Sequence, residues 1–285
     1  MVHAPVSGMA LIAVLWIVAA LSIMAIGLSG TVRQQIQMAG AQRQQVGGQA
    51  AGEAAMALVL QAMQTTSVRD PGITTVALAY GGLDIEVEVA PLNGLISLNG
   101  AEAPLFAALL HTAGGLDAAR ASALGADLVA WRDGRPHVDP TTPAAAAVQP
   151  RRFEAPEDLM LVPGIDYALY ARIAPLVSAD LLGRGQVNPL AAPPAVLAVL
   201  AQGDTGRVAA YVRQRSSQAG ADASAFQGAF VGGAGTDLYR LQARVALEAG
   251  KILLLTRDVA LGTNYSRTAP WRILRTQRQL VTPAA

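Results

Sequence analysis

The chain has 285 residues, 52% of them apolar and 14% charged, with 21 basic side chains against 20 acidic ones and no cysteine. That length exceeds one average domain, and the apolar share is too high for a disordered chain. The near-zero charge balance, with Lys251 the lone lysine, implies no strong electrostatic hold on nucleic acid, and the missing thiols exclude disulfides and thiolate metal sites.

From Met9 to Leu28 the chain reads MALIAVLWIVAALSIMAIGL without a charge. At about 1.5 Å per helical residue this run matches the roughly 30 Å hydrocarbon core, so a single transmembrane helix is expected over 9–30. A conventional secretory signal would need a basic leader, a shorter apolar stretch and a small-x-small cleavage site. Here His3 is the one titratable side chain of the leader, and no such site occurs before Arg33. A short polar leader, residues 1–8, instead ends in Gly8. This arrangement resembles that of prepilin-like proteins. The resemblance implies that a prepilin peptidase cuts after Gly8, that Met9 becomes the new and methylated N-terminus, and that the helix serves as anchor and fibre core. Ala13, Leu15, Trp16 and Leu21 would then belong to the transmembrane assembly surface. Ala13 stands at the fifth mature position, where most such subunits carry a glutamate that neutralises a neighbour's terminal amine. Its absence implies a subunit in a terminal place, since an unpaired carboxylate in hydrocarbon is costly. The charge count alone points the other way in orientation, because Arg33 and Arg43 follow the span and the leader has no Lys or Arg. The resemblance implies an inner-membrane, single-pass protein with its C-terminal domain in the periplasm.

Residues 31–66 are rich in Ala, Gln and Met, so the helix should continue beyond the membrane. Val32, Ile36 and Ala39 recur at helical spacing, as do Ala50, Ala54, Ala57 and Leu58, which predicts a stripe lying on a globular head. Gly40, Gly47, Gly48 and Gly52 either kink the helix or allow close approach. After the turn at Pro71-Gly72 come TTVALAY and LDIEVEV, joined by Gly81-Gly82, a hairpin signal. Leu83, Ile85, Val87 and Val89 alternate with Asp84, Glu86 and Glu88. Alternation sends the three acids to the solvent face, which removes them as a metal or acid-base cluster.

From Leu95 the pattern turns helical, and helical segments are expected over 101–201. Pro163-Gly164 reads as an inter-helix turn and Pro193-Pro194 as a helix start. The stretch Thr141 to Pro150, TTPAAAAVQP, reads as a surface loop. Four motifs follow in order: GLISLN ending in Leu98-Asn99, AWRD around Trp131, FEAPEDLMLVPG from Phe153 to Gly164, and VNPLAAPPAVL from Val187 to Leu197. Together with the N-terminal helix, these resemble the type II secretion minor pseudopilin K family (general secretion pathway protein K), with Ala130-Trp131 in place of that family's Asp-Trp. The resemblance implies an α+β, pilin-like fold. A long N-terminal helix packs on a small antiparallel sheet, interrupted by a large all-helical insertion. It divides the chain into leader 1–8, transmembrane helix 9–30, helix extension and first strands 31–100, inserted helical domain 101–201, and returning strands 202–285. The strands themselves are read from Thr236 onward, with Trp271 packing on the sheet and Arg272, Arg275 and Arg278 mainly on its outer side.

The implied function is assembly without catalysis: a subunit that caps the pseudopilus tip and supports its assembly during protein export. Implied partners are other minor pseudopilins, the major pseudopilin, the prepilin peptidase and the inner membrane, with secreted cargo an open further partner and no nucleic acid. The alternative is a membrane-tethered helix-hairpin-helix DNA-binding protein of the competence type, since LMLVPGID has that shape. Asp166, however, replaces the second glycine of the hairpin turn and would repel phosphate. No G-x-S-x-G, H-E-x-x-H or Walker loop supports an enzyme, and His111 and His137 stand far apart. Calcium would need six to eight oxygens, and Asp133 and Asp139 are too few, so no metal or other cofactor is expected.

Overall fold

The first element of the computed structural model is one long helix, α1 (Ser7–Thr65), whose 59 residues extend about 90 Å. The structure describes residues 7–65, 70–134, 151–183, 185–217, 221–233, 235–262 and 270–282, without the side chains of 7–10, 23–34, 36 and 249. The leader residues 1–6 and the expected loop 141–150 lie outside that description.

The last third of α1 buries Ala51, Ala55, Met56, Val59 and Leu60 against a sheet. This face differs from the expected one. Ala50, Ala57 and Leu58 are exposed and Ala54 is half-buried, so the helix is rolled by about one residue, some 100°. Glycine decides the face. A Cβ at Gly48 would lie 2.6 Å from Leu247 Cδ2, and one at Gly52 would lie 2.6 Å from Leu255 Cδ1. Two positions without side chains thus bring the helix axis close to the strands, while Gly40 and Gly47 meet nothing within 4 Å. Glu53 ties the same stretch down, pairing with Arg257 at 3.0 Å.

Five antiparallel strands form the sheet: β1 (Thr74–Tyr80), β2 (Leu83–Pro91), β5 (Leu238–Ala246), β6 (Ile252–Leu261) and β7 (Trp271–Val281), in the order β1-β2-β5-β6-β7. Gly81 and Gly82 take φ of +61° and +78°, which is what a two-residue turn matching strand twist demands. Ile85, Val87 and Val89 are buried under α1, and Asp84, Glu86 and Glu88 point to solvent, as alternation requires. Trp271 is half-buried against the same core. Arg278 corrects the expectation for the last strand. It pairs in register with Leu255, on the helix side, and its Nη1 donates to Gln49 Oε1 at 2.7 Å. Arg272 and Arg275 do face away from α1, opposite Ala260 and Asp258.

Between the adjacent strands β2 and β5 the chain builds a second core. It contains α2 (Ala103–Thr112), α3 (Ala118–Arg132), α4 (Tyr167–Ile173), α5 (Pro194–Leu200) and α6 (Thr205–Ser216). A short parallel pair, β3 (Ile96–Ser97) with β4 (Val177–Ser178), joins them. Leu105, Phe106, Leu109, Leu128, Phe153 and Ile173 form its centre. Helical structure runs past the expected end at Ala201, because α6 and the 3-10 turns Ala223–Ala225 and Gly228–Phe230 also belong here, contributing Tyr211, Phe226 and Phe230 to the core. Among the described residues of 202–237 none belongs to a strand of the sheet, and sheet pairing resumes at Leu238. The local cause is a cap: Asp204 accepts from the Arg207 amide at 3.0 Å and starts α6.

Candidate assembly surfaces and the junction between the two cores

The residues of the four sequence motifs converge on the frame of the helical region. Asn99 Nδ2 donates to the carbonyls of Phe153 (2.9 Å) and Ala179 (2.7 Å), and its Oδ1 accepts from the Phe153 amide at 3.0 Å. Trp131 stacks on Phe153 with ring centroids 4.7 Å apart. Asp158 accepts from the amides of Glu154 and Ala155 and so shapes the 3-10 turn Pro156–Leu161. Gly164, at φ +94°, makes the turn into α4, where Asp166 caps the helix by accepting from Leu169 N at 2.7 Å. A capping carboxylate occupies the place where a phosphate would approach, so the hairpin offers no anion seat. Asn188 Nδ2 donates to Pro71 O at 2.7 Å, and Arg215 Nη1 donates to the carbonyls of Pro189, Leu190 and Ala192 at 3.1, 3.2 and 2.8 Å. Asn188 thereby staples the helical region to the start of the β1–β2 hairpin, while Arg215 ties α6 to the segment 189–192 within that region. Tight backbone packing reinforces the staple, since a Cβ on Gly94 would lie 2.2 Å from Ala191 O.

A second contact joins the helical region to the sheet face opposite α1. Asp258 is 3% exposed at its side chain and accepts two hydrogen bonds from Arg240, Nε at 2.7 Å and Nη2 at 2.8 Å. Arg275 reaches across to Glu157 of the 3-10 turn. Burial works to raise the Glu157 carboxyl, but a backbone hydrogen bond and the Arg275 guanidinium outweigh it and hold the group below the usual carboxylate range. Burial also raises the neighbouring Tyr170 phenol, with the Glu157 charge adding to the effect. Asp180, just beyond β4, is half-buried; burial first, and then repulsion from Asp258, lift its carboxyl above its ordinary range. Of these junction groups, the sequence pointed to Arg275, on the outer side of the sheet, but not to Asp180, Arg240 or Asp258, nor to any pairing among them. The available signal was Asp258 itself, a charge inside the aliphatic strand ILLLTRDVAL, which could be buried only with a partner.

The third surface is the amino-terminal half of α1. Leu11, Leu15, Trp16 and Leu21 are 72%, 69%, 72% and 61% exposed, and Ala13 is exposed beside them. Gly8 and Met9 lie in the first turn, with side chains outside those described. Among the described residues no helix is long and apolar enough to cross a membrane, and the run Met9–Leu28 falls partly on positions 23–34, outside the described side chains.

The remaining candidates are local. His111 Nδ1 lies 2.7 Å from Leu116 O, closing the end of α2, and Asp133 pairs with its neighbour Arg132 at 3.0 Å. His137 and Asp139 fall outside the described residues. Among those described, no group of three or more His, Asp or Glu comes together to hold a metal. Tyr211 is 2% exposed, packs edge-on against Phe226, and finds no hydrogen-bond partner for its hydroxyl among the described residues. Tyr211→Phe is therefore expected to raise stability by about 1 kcal/mol, since it removes a buried unsatisfied donor at constant shape. A urea midpoint that falls instead would mean that the hydroxyl has a partner.

No family model matches the chain, and no curated protein matches it. Among solved structures, it is similar to a chain in the crystal structure of the GspK-GspI-GspJ complex from the type 2 secretion system of enterotoxigenic Escherichia coli. The TM-score is 0.50 and the identity 16%, over 80% of this chain and 94% of that one. At that identity the likeness establishes a common fold, an α+β architecture spanning nearly all of the solved chain.

Proposed function

We propose that this chain is a minor pseudopilin of the K type in a type II secretion system, anchored in the inner membrane by residues 9–30 with its C-terminal domain in the periplasm. The observation that carries this reading is the fold likeness to a chain of the GspK-GspI-GspJ complex, over 80% of this chain and 94% of that one. Prepilin peptidase frees Met9 by cutting after Gly8. The apolar face that includes Leu15, Trp16 and Leu21 then exchanges lipid for sister helices, and Ala13 removes the need for a neighbour's amine at that depth. The head docks on other minor pseudopilins. The helical region, held to the sheet by Asn188 and the Arg275–Glu157 pair, obstructs addition of a further subunit, so the protein caps the pseudopilus and supports its assembly during protein export. The domain division that goes with this role is an anchor, a pilin-like helix and sheet, and an inserted helical domain.

One experiment separates this reading from an uncleaved anchor. Full-length chain co-expressed with prepilin peptidase and partner minor pseudopilins should begin at Met9 by intact mass and co-purify with them, and Gly8→Leu should leave it beginning at Met1. A wild-type product that keeps Met1, or that stays solitary among its proposed partners, contradicts the assignment.

A further inference from the structure

The two edges of the sheet are guarded unequally. β7 carries Arg272, Arg275 and Arg278, and its ladder is interrupted at Asp258/Val259; charge and irregularity both discourage a further strand from pairing. β1 reads TTVALAY, seven residues without a charge, a glycine or a proline, in unbroken register with β2. Among the described residues no strand pairs with its outer side. Such an edge is a template for one more strand.

Register fixes what the edge offers. The pair Tyr80 and Leu83 flanks a two-residue turn and is mutually hydrogen-bonded, so Thr74, Val76, Leu78 and Tyr80 turn their backbone groups to β2. Thr75, Ala77 and Ala79 turn theirs outward. The two faces beside them differ. On the α1 side Val76 is 41% exposed, Tyr80 46% and Leu58 of the helix 50%. Glu53 meets Arg257 of β6 on one flank of the buried stripe of α1, so Leu58, on the opposite flank, lies toward β1. On the other face Thr75, Ala77 and Ala79 are small, and their register partners on β2 are Glu88, Glu86 and Asp84. A recess of about 630 Å³ opens there, lined by Ala77, Ala79, Asp84 and Glu86, with Arg244 of β5 behind them. Arg244 stands opposite Glu86, and Arg215 lies within electrostatic reach of Glu88, which leaves the patch with more acid than base. A strand added to β1 would run about 10 Å from β2, a span that Arg or Lys can cross over alanine to meet these carboxylates.

We propose that the outer edge of β1 is a docking site for an extended segment of another protein, apolar where it meets Val76, Tyr80 and Leu58 and basic where it faces Asp84 and Glu86. The backbone of Thr75, Ala77 and Ala79 supplies the pairing, and the acids select the strand. A second copy of this chain does not fit that description, since β1 has no basic residue and Arg275 of β7 is committed to Glu157. The inference rests on this edge and its charges and is independent of the pseudopilin reading.

The test is a titration of the full chain, in non-ionic detergent, with a fluorescent peptide of alternating valine and lysine. Anisotropy should show saturable binding, and residues 74–80 should gain protection from hydrogen exchange. An alternating valine and glutamate peptide should bind about fivefold more weakly or worse, as two or three exposed cross-strand charge pairs require. Methylation of alternate peptide amides should abolish binding, because it removes donors and keeps the charge. Ala77→Pro removes an outward amide that β2 does not use and should have the same effect. Ala77→Lys guards against misfolding of that variant; it leaves pairing with β2 intact and should weaken the valine-lysine peptide about fivefold by like-charge repulsion. Asp84→Asn with Glu86→Gln should bring the two peptides to within about twofold of each other. No saturable binding, equal binding of the two peptides to wild type, binding that survives amide methylation, or a wild-type dimer that Ala77→Lys dissociates overturns the proposal.

Discussion

Arg240→Met should be the most damaging single substitution on the sheet, lowering stability by about 3 kcal/mol in chemical denaturation. The loss comes less from the attraction removed than from what is left behind, a carboxylate on β6 that is 3% exposed and has lost its bidentate donor. The lower end of the range for broken buried pairs applies, because the Arg240 side chain keeps 26% of its surface in water. A control follows from the same argument. Arg240→Met combined with Asp258→Leu removes both charges and should recover most of the stability, since an apolar pair of similar volume replaces an ion pair at little net cost. If the double variant is as unstable as the single one, the damage lies in packing and not in an orphaned charge.

Phe153→Ala should cost about 3–5 kcal/mol, the usual range for deleting a fully buried aromatic. Phe153 is 2% exposed, stacks on Trp131, and is bracketed by Asn99 at both its amide and its carbonyl. Loss of the ring therefore opens a cavity and frees Trp131, so the fluorescence of that tryptophan should shift to the red before the sheet unfolds. Phe153→Leu retains most of the volume and should cost less than about 1.5 kcal/mol. An unchanged unfolding midpoint for Phe153→Ala would place the ring outside the structural centre of the helical region.

The hairpin was legible from the chain alone, because Gly81-Gly82 and the period-two alternation after it are local signals. The turn at Gly164 and the helix start at Pro194 were equally legible, since proline and glycine act within a few residues. The face of α1 was not. Counting apolar side chains placed the stripe on Ala57 and Leu58, yet the contact is organised around Gly48 and Gly52, where the absence of a side chain is the fitting property. The end of the helical region was misplaced for a different reason. α6 is polar overall and Tyr211 is its one buried side chain among those described, so a search for apolar helical segments passes over it. Arg278 was assigned by composition to the outer face, whereas strand register, including the irregularity at Asp258/Val259, turns it toward Gln49. The junction charges depend on contacts between residues up to 118 positions apart, as in Arg275 with Glu157, and no local pattern encodes those.

The unbroken course of α1 from Ser7 to Thr65 has a mechanical consequence. Tension applied at its amino end travels along the rod and reaches the strands as shear across the narrow seam at Gly48 and Gly52, where Leu247 and Leu255 interlock with the helix backbone. Loading in that geometry strains many contacts together instead of peeling them one at a time, so the head should withstand being hauled by its stem better than its modest seam area alone suggests.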